Sequence, residues 1–121
     1  MQRRSLLLSF RDAFRGIFYV LATQRNAKIQ AAVGTAVFVA AGVLRLPARD
    51  WAILVLTVVA VLAAEIGNTV VETIVDVISP GPSENARIAK DAAAGAVLIL
   101  GIGAVAVGLL ILGPPLWKLF A

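Results

Sequence analysis

Four polar side chains interrupt an otherwise apolar stretch at Glu65, Asn68, Glu72 and Asp76, at offsets of 3, 7 and 11 residues from the first. At about 3.6 residues per helical turn these offsets keep all four on one narrow stripe of a single helix. A little further along, Lys90 and Asp91 stand side by side at the start of the next apolar segment. Carboxylates, an amide and an amine gathered in this way suit three kinds of chemistry. They can act as hydrogen-bonding glue between helices, with the outer charges solvated. A buried carboxylate such as Glu65 can bind a coupling proton in an ion or drug transporter. The set also matches metal-assisted phosphoryl transfer, in which hard oxygens hold Mg²⁺, a lysine offsets phosphate charge and a carboxylate takes a hydroxyl proton.

The elements that must position this stripe follow from composition. Of 121 residues, 60% are hydrophobic, against about 45–50% in a water-soluble domain. The chain has no Cys and no His, so a disulfide framework, a zinc ribbon, a thiol nucleophile and a His-based triad are all excluded. Lipid is the natural solvent for so much apolar surface.

Charges divide the chain into spans. Ile29 to Leu44 is an uncharged run, and Ala92 to Trp117 is a longer one. Roughly 20 apolar residues cross a bilayer, so the long run spans outright and the first spans if Lys28 and Arg45 snorkel. The run beginning at Trp51 is cut short by Glu65. Its helix must therefore carry Glu65 and Asn68 into the membrane, where an ionisable group marks function by default. Glu65 then lies within the bilayer, while Glu72, Asp76, Lys90 and Asp91 lie near one interface. A stripe crossing from hydrocarbon to water can present a base to a lipid hydroxyl and other groups to a soluble nucleotide. That is the arrangement a lipid kinase needs.

Residues 5–22 read as a surface helix, with Leu7, Phe10, Phe14, Ile17 and Leu21 on one face and Arg4, Arg11 and Arg15 on the other. The expected architecture is an all-α membrane protein forming a single domain over residues 1–121. It comprises the surface helix at 5–22 and transmembrane helices at about 29–46, 51–78 and 84–117. Ser79-Pro80-Gly81-Pro82-Ser83 breaks the chain between the last two, and Ser83 is placed to cap the final helix with Glu84 in its first turn. Trp51 and Trp117 read as interface anchors, and Gly101, Gly103, Gly108 and the pairs Ala63/Gly67 and Ala104/Gly108 as sites of close helix packing. Eight of the basic residues fall on the N-terminal side and three (Arg45, Arg49, Lys118) on the other. The excess of positive charge places the N-terminus and the active site in the cytoplasm. The basic residues face lipid headgroups, and nucleic acid is not an expected partner.

Glu65-Ile66-Gly67-Asn68-Thr69-Val70-Val71-Glu72 with Val75-Asp76, followed by Ala89-Lys90-Asp91-Ala92-Ala93-Ala94-Gly95-Ala96-Val97, resembles the prokaryotic diacylglycerol kinase and undecaprenol kinase family. Phe10-x-x-Ala13-x-x-Gly16 and Arg25-Asn26 extend the resemblance over nearly the whole chain. It implies a homotrimeric bundle in the bacterial cytoplasmic membrane, with active sites shared between subunits. It also implies Mg-ATP as donor and a membrane lipid alcohol as acceptor, either diacylglycerol or undecaprenol. Carried over by position, Glu65 is the catalytic base, while Asn68, Glu72, Asp76, Lys90 and Asp91 serve the nucleotide. Glu72 and Gln24 would hold the metal. The sequence departs from the family at Gln24, where a second metal-binding Glu is usual, and at Gln30, where Glu or His is common. An amide oxygen at Gln24 can coordinate Mg²⁺ but brings no charge. Arg25-Asn26, Ser79-Pro80 and Ala92–Val97 look more like the branch that includes Gram-positive undecaprenol kinases. The alternative to the kinase reading is a non-catalytic membrane subunit or an ion or drug transporter of the same three-helix fold.

Overall fold

Helix-favouring, alanine- and leucine-rich segments interrupted by few breakers leave little choice of secondary structure. The computed structural model describes residues 5–121 and contains four helices: α1 (Leu6–Thr23), α2 (Arg25–Val43), α3 (Ala48–Ile78) and α4 (Glu84–Phe120). No strand occurs among the described residues. Arg3 and Arg4, counted above on the N-terminal side, lie outside the described residues. Helices α2, α3 and α4 are long and apolar enough to cross a membrane, and the protein is a membrane protein. Helix α1 is the amphipathic element expected over 5–22, with Leu7, Phe10 and Phe14 exposed along one face.

Local chemistry sets the helix ends. Ser5 caps α1 by accepting from the Leu8 amide at 3.3 Å, and Ser83 caps α4 by accepting from the Ala86 amide at 3.3 Å, as its sequence position predicts. A single extended residue, Gln24, separates α1 from α2; it ends one helix and begins the next. Helix α2 therefore starts at Arg25, earlier than the expected residue 29, and ends at Val43 rather than 46. Hydropathy marks where lipid begins, whereas Arg25 and Lys28 are good helix formers that extend the helix into water. Helix α3 likewise starts at Ala48 rather than 51, because Pro47 stops the turn and serves as its N-cap position. Helix α4 runs to Phe120 instead of 117, passing through Pro114 and Pro115.

The α2–α3 turn closes with a helix-ending hydrogen-bond pair. The Leu46 amide donates to Ala41 O at 3.1 Å and the Arg45 amide to Gly42 O at 3.2 Å. This paired motif requires a left-handed residue at Arg45, whose φ is 54°, a position glycine ordinarily fills.

The core is thin, as expected where lipid completes the burial. Val20, Ala27, Ala41, Leu54 and Val61 are buried, and α4 buries no residue completely. Helix α3 is central, packing against α1, α2 and most extensively α4. The glycines expected to permit close packing, Gly67, Gly101, Gly103 and Gly108, meet nothing within 4 Å of an added Cβ. The close approach within the chain falls at Gly34 instead, where a Cβ would lie 2.9 Å from Val58 Cγ1. Trp51, expected as an interface anchor, stacks on Phe38 with ring centroids 5.7 Å apart and so joins α3 to α2.

Candidate active site

Helix α3 presents Glu65, Asn68, Glu72 and Asp76 in order along one side, as the spacing requires. Glu65 is 2% exposed, a carboxylate enclosed by the side chains around it. Its hydrogen-bond donor among the described residues is Gln30 on α2, whose Nε2 donates to Oε2 at 3.2 Å. Thr69, also buried, donates to the Glu65 carbonyl at 3.1 Å and anchors this turn of the helix. One turn further, Asn68 Nδ2 makes a long 3.4 Å bond to Glu72 Oε1, and Asn68 Oδ1 is buried without a partner. Asn68 and Glu72 are half-buried, and Asp76 is exposed. The stripe thus passes from enclosed to solvated over three turns.

Helix α4 completes the outer end. Lys90 Nζ lies 2.5 Å from Asp76 Oδ1, bridging α4 to α3. Asp91, placed beside Lys90 by the sequence, does not join this contact. It accepts from Arg87 Nη1 at 2.9 Å, and Arg87 also pairs with Glu84. Neighbouring residues on a helix point about 100° apart, so Lys90 and Asp91 cannot both face α3. Arg87 was not singled out from the sequence, although its i+4 spacing to Asp91 signals the pair.

Gln24 is half-buried at the α1–α2 junction, with Nε2 donating to Thr23 Oγ1 at 3.4 Å. Among the described residues no three acidic side chains gather into a ready-made metal cage. The donors nonetheless suit Mg²⁺, which takes one or two carboxylates and completes its shell with water and phosphate oxygens. Glu72 supplies a carboxylate, and the orphaned Asn68 Oδ1 beside it is a further hard oxygen needing a partner.

A largely apolar cavity of about 460 Å³ opens between α2, α3 and α4. Gln30 is part of its lining, together with Val33, Leu54, Val61, Val105 and Leu109. The hydrogen-bond partner of the buried Glu65 carboxylate therefore borders a space suited to hydrocarbon.

These features define a small polytopic membrane protein with a buried carboxylate at the inner end of a polar stripe and an ionic cluster at its outer end. Residues 11–112 match the model of the prokaryotic diacylglycerol kinase family. Over 116 residues the chain is 47% identical to a diacylglycerol kinase of Synechocystis sp., an alignment covering 95% of this chain and 66% of that protein. It is 37% identical over 108 residues to an undecaprenol kinase of Bacillus subtilis, covering 89% of this chain and 88% of that one. The chain spans just under two thirds of the length of the Synechocystis relative. It belongs to the prokaryotic diacylglycerol kinase family.

Proposed function

We propose that the protein is an ATP- and Mg²⁺-dependent lipid kinase that transfers the γ-phosphate of ATP to the hydroxyl of a membrane lipid alcohol. The observation that carries this reading is the enclosed Glu65 at the inner end of a stripe whose outer end is solvated and tied to Lys90. A lipid hydroxyl and a soluble nucleotide approach from opposite phases, and the stripe has groups suited to each.

Glu65 accepts the hydroxyl proton as the lipid oxygen attacks phosphorus, and ADP leaves in line with the attack. Asn68 and Glu72 line the path of the phosphates, and Glu72, with Gln24, would hold Mg²⁺. When bound, the ion offsets charge on the phosphate oxygens. Lys90 is a compact cation on a flexible stem; it exchanges Asp76 for a phosphate oxygen when the nucleotide enters. Asp76 and Asp91 border the nucleotide. The N-terminus and this outer cluster face the cytoplasm of a bacterial cell. A homotrimer, with sites shared between neighbours, covers polar groups that a lone chain would leave to lipid.

The two named relatives act on different alcohols, so the acceptor is either diacylglycerol, giving phosphatidic acid, or undecaprenol, giving undecaprenyl phosphate. The test is phosphotransfer from labelled ATP with Mg²⁺ in mixed micelles, offering both lipids side by side. Label in either lipid supports the kinase, and the ratio identifies the acceptor. No label in either lipid from folded protein would overturn it.

A further inference from the structure

We propose that Gln30 is the positioning residue for Glu65, serving the base in both of its protonation states by rotating its side-chain amide. This rests on the kinase reading above, in which Glu65 takes the proton of the lipid hydroxyl. The contact joins α2 to α3 across 35 residues of sequence: Gln30 Nε2 donates to Glu65 Oε2 at 3.2 Å, and Glu65 is 2% exposed. The other half of the same amide, Oε1, is buried and has no hydrogen-bond partner.

A buried carbonyl oxygen left unpaired is costly, and native structures rarely keep one without a use. The reaction supplies one. An ionised carboxylate only accepts hydrogen bonds, so before transfer it must face the amide N–H. As the lipid O–H bond breaks and the new O–P bond forms, the proton moves to the Glu65 carboxylate and the Pγ–O bond to ADP breaks. Glu65 is then a carboxylic acid with an O–H to donate. A half-turn of the Gln30 amide, about a torsion with a broad two-fold profile, brings Oε1 round to accept it. The proton later passes to water and the amide turns back. The amide satisfies both states without changing its own charge.

The groups around the pair are compatible with this role. Helix α2 carries Arg25 and Lys28, and α1 carries Arg15 and Tyr19, all four exposed. Glu72 lies two turns away on α3, and α4 is uncharged from Ala92 to Trp117. None of them hydrogen-bonds to the Glu65 carboxylate. Proton exchange in the pair is therefore confined to Glu65.

The test uses the full chain in mixed micelles with Mg-ATP and lipid alcohol, comparing Gln30→Leu and Gln30→Glu. Gln30→Leu keeps bulk but removes donor and acceptor; kcat should fall about 10- to 100-fold with KM for ATP unchanged. Gln30→Glu puts a second carboxylate in contact with Glu65, so the pair takes up protons in two coupled steps and the acidic limb of the kcat profile should move by about one pH unit or more. A role in packing alone would not move that limb. Wild-type kcat in Gln30→Leu, or a wild-type profile in Gln30→Glu, would overturn the proposal. A second readout needs no turnover: the infrared carboxyl band of Glu65, assigned by its loss in Glu65→Gln, should shift in Gln30→Leu. If that band shifts but the wild type phosphorylates no lipid, the kinase reading fails and the contact stands. If the band does not respond, the positioning role fails even in an active kinase.

Discussion

Lys90 on α4 reaches Asp76 on α3 at 2.5 Å, the ion pair that fastens the two longest helices at the solvated end of the polar stripe. Both side chains are substantially exposed, so the pair contributes little to stability, and its value lies in where it holds the lysine. Asp76→Asn should leave the unfolding midpoint unchanged while raising KM for ATP several-fold, because the ammonium loses its guide. In a Lys90→Ala background the same change should have no further effect. Additive losses in that double-mutant cycle would show that Asp76 acts independently of Lys90.

Much of this arrangement is legible in the sequence. The offsets of Glu65, Asn68, Glu72 and Asp76 follow from helix geometry alone, and Lys90 needed only the break at Ser79–Ser83 to return it alongside Asp76. The partner of Glu65 was not legible in the same way. Gln30 lies 35 residues away on another helix, and no local periodicity links the two. The pairing of Asp91 with Arg87 was within reach of an i+4 rule but was obscured by its adjacency to Lys90. Helix ends shifted because hydropathy reports the bilayer and capping reports the helix. The close contact at Gly34 depends on which faces of α2 and α3 meet, which glycine spacing alone does not encode.

Gly34 sets that helix–helix distance. A methyl group there would stand 2.9 Å from Val58 Cγ1, and a β-branched side chain in a helix has almost no alternative rotamer to retreat to. Gly→Ala in an open helix position gains about 1 kcal/mol from propensity. At Gly34 the clash should outweigh this, so Gly34→Ala is expected to lower the thermal midpoint in detergent. Gly103→Ala, with nothing within 4 Å in the chain, serves as the comparison and should not lower it. Equal midpoints for the two variants would mean that the helices part without cost.

Arg45 offers the opposite case. Its φ of 54° is imposed by the paired hydrogen bonds that end α2, and a residue with a Cβ pays about 1 kcal/mol or more in that region. Arg45→Gly should relieve the strain and raise stability by about that much, less the entropy glycine loses on folding. Equilibrium unfolding in mixed micelles measures it. A destabilised Arg45→Gly protein would indicate that the arginine side chain makes a compensating contact with headgroups.

In the proposed reaction Glu65 is the residue that takes the proton. Glu65→Gln keeps the size and the possibility of an amide contact to Gln30 but removes the ability to accept a proton. Turnover should fall by about 10²- to 10⁴-fold, the usual contribution of a positioned general base. Helical content and oligomer size should stay as in the wild type. Activity within a few-fold of wild type would remove Glu65 from the role of base.

Gln24 tests the metal assignment, and two effects must be separated. It occupies the N-cap position of α2 without a side-chain capping bond, so Gln24→Glu places a negative charge at a helix N-terminus. Such a charge stabilises by about 0.3–1 kcal/mol whatever the metal does. If Gln24 and Glu72 together hold the proposed ion, the new carboxylate gives Mg²⁺ a second charged ligand. The Mg²⁺ concentration for half-maximal phosphotransfer should then drop several-fold, and in the absence of ATP added Mg²⁺ should raise the unfolding midpoint of the variant more than that of the wild type. Higher stability with an unchanged Mg²⁺ titration would assign the residue to the helix junction alone.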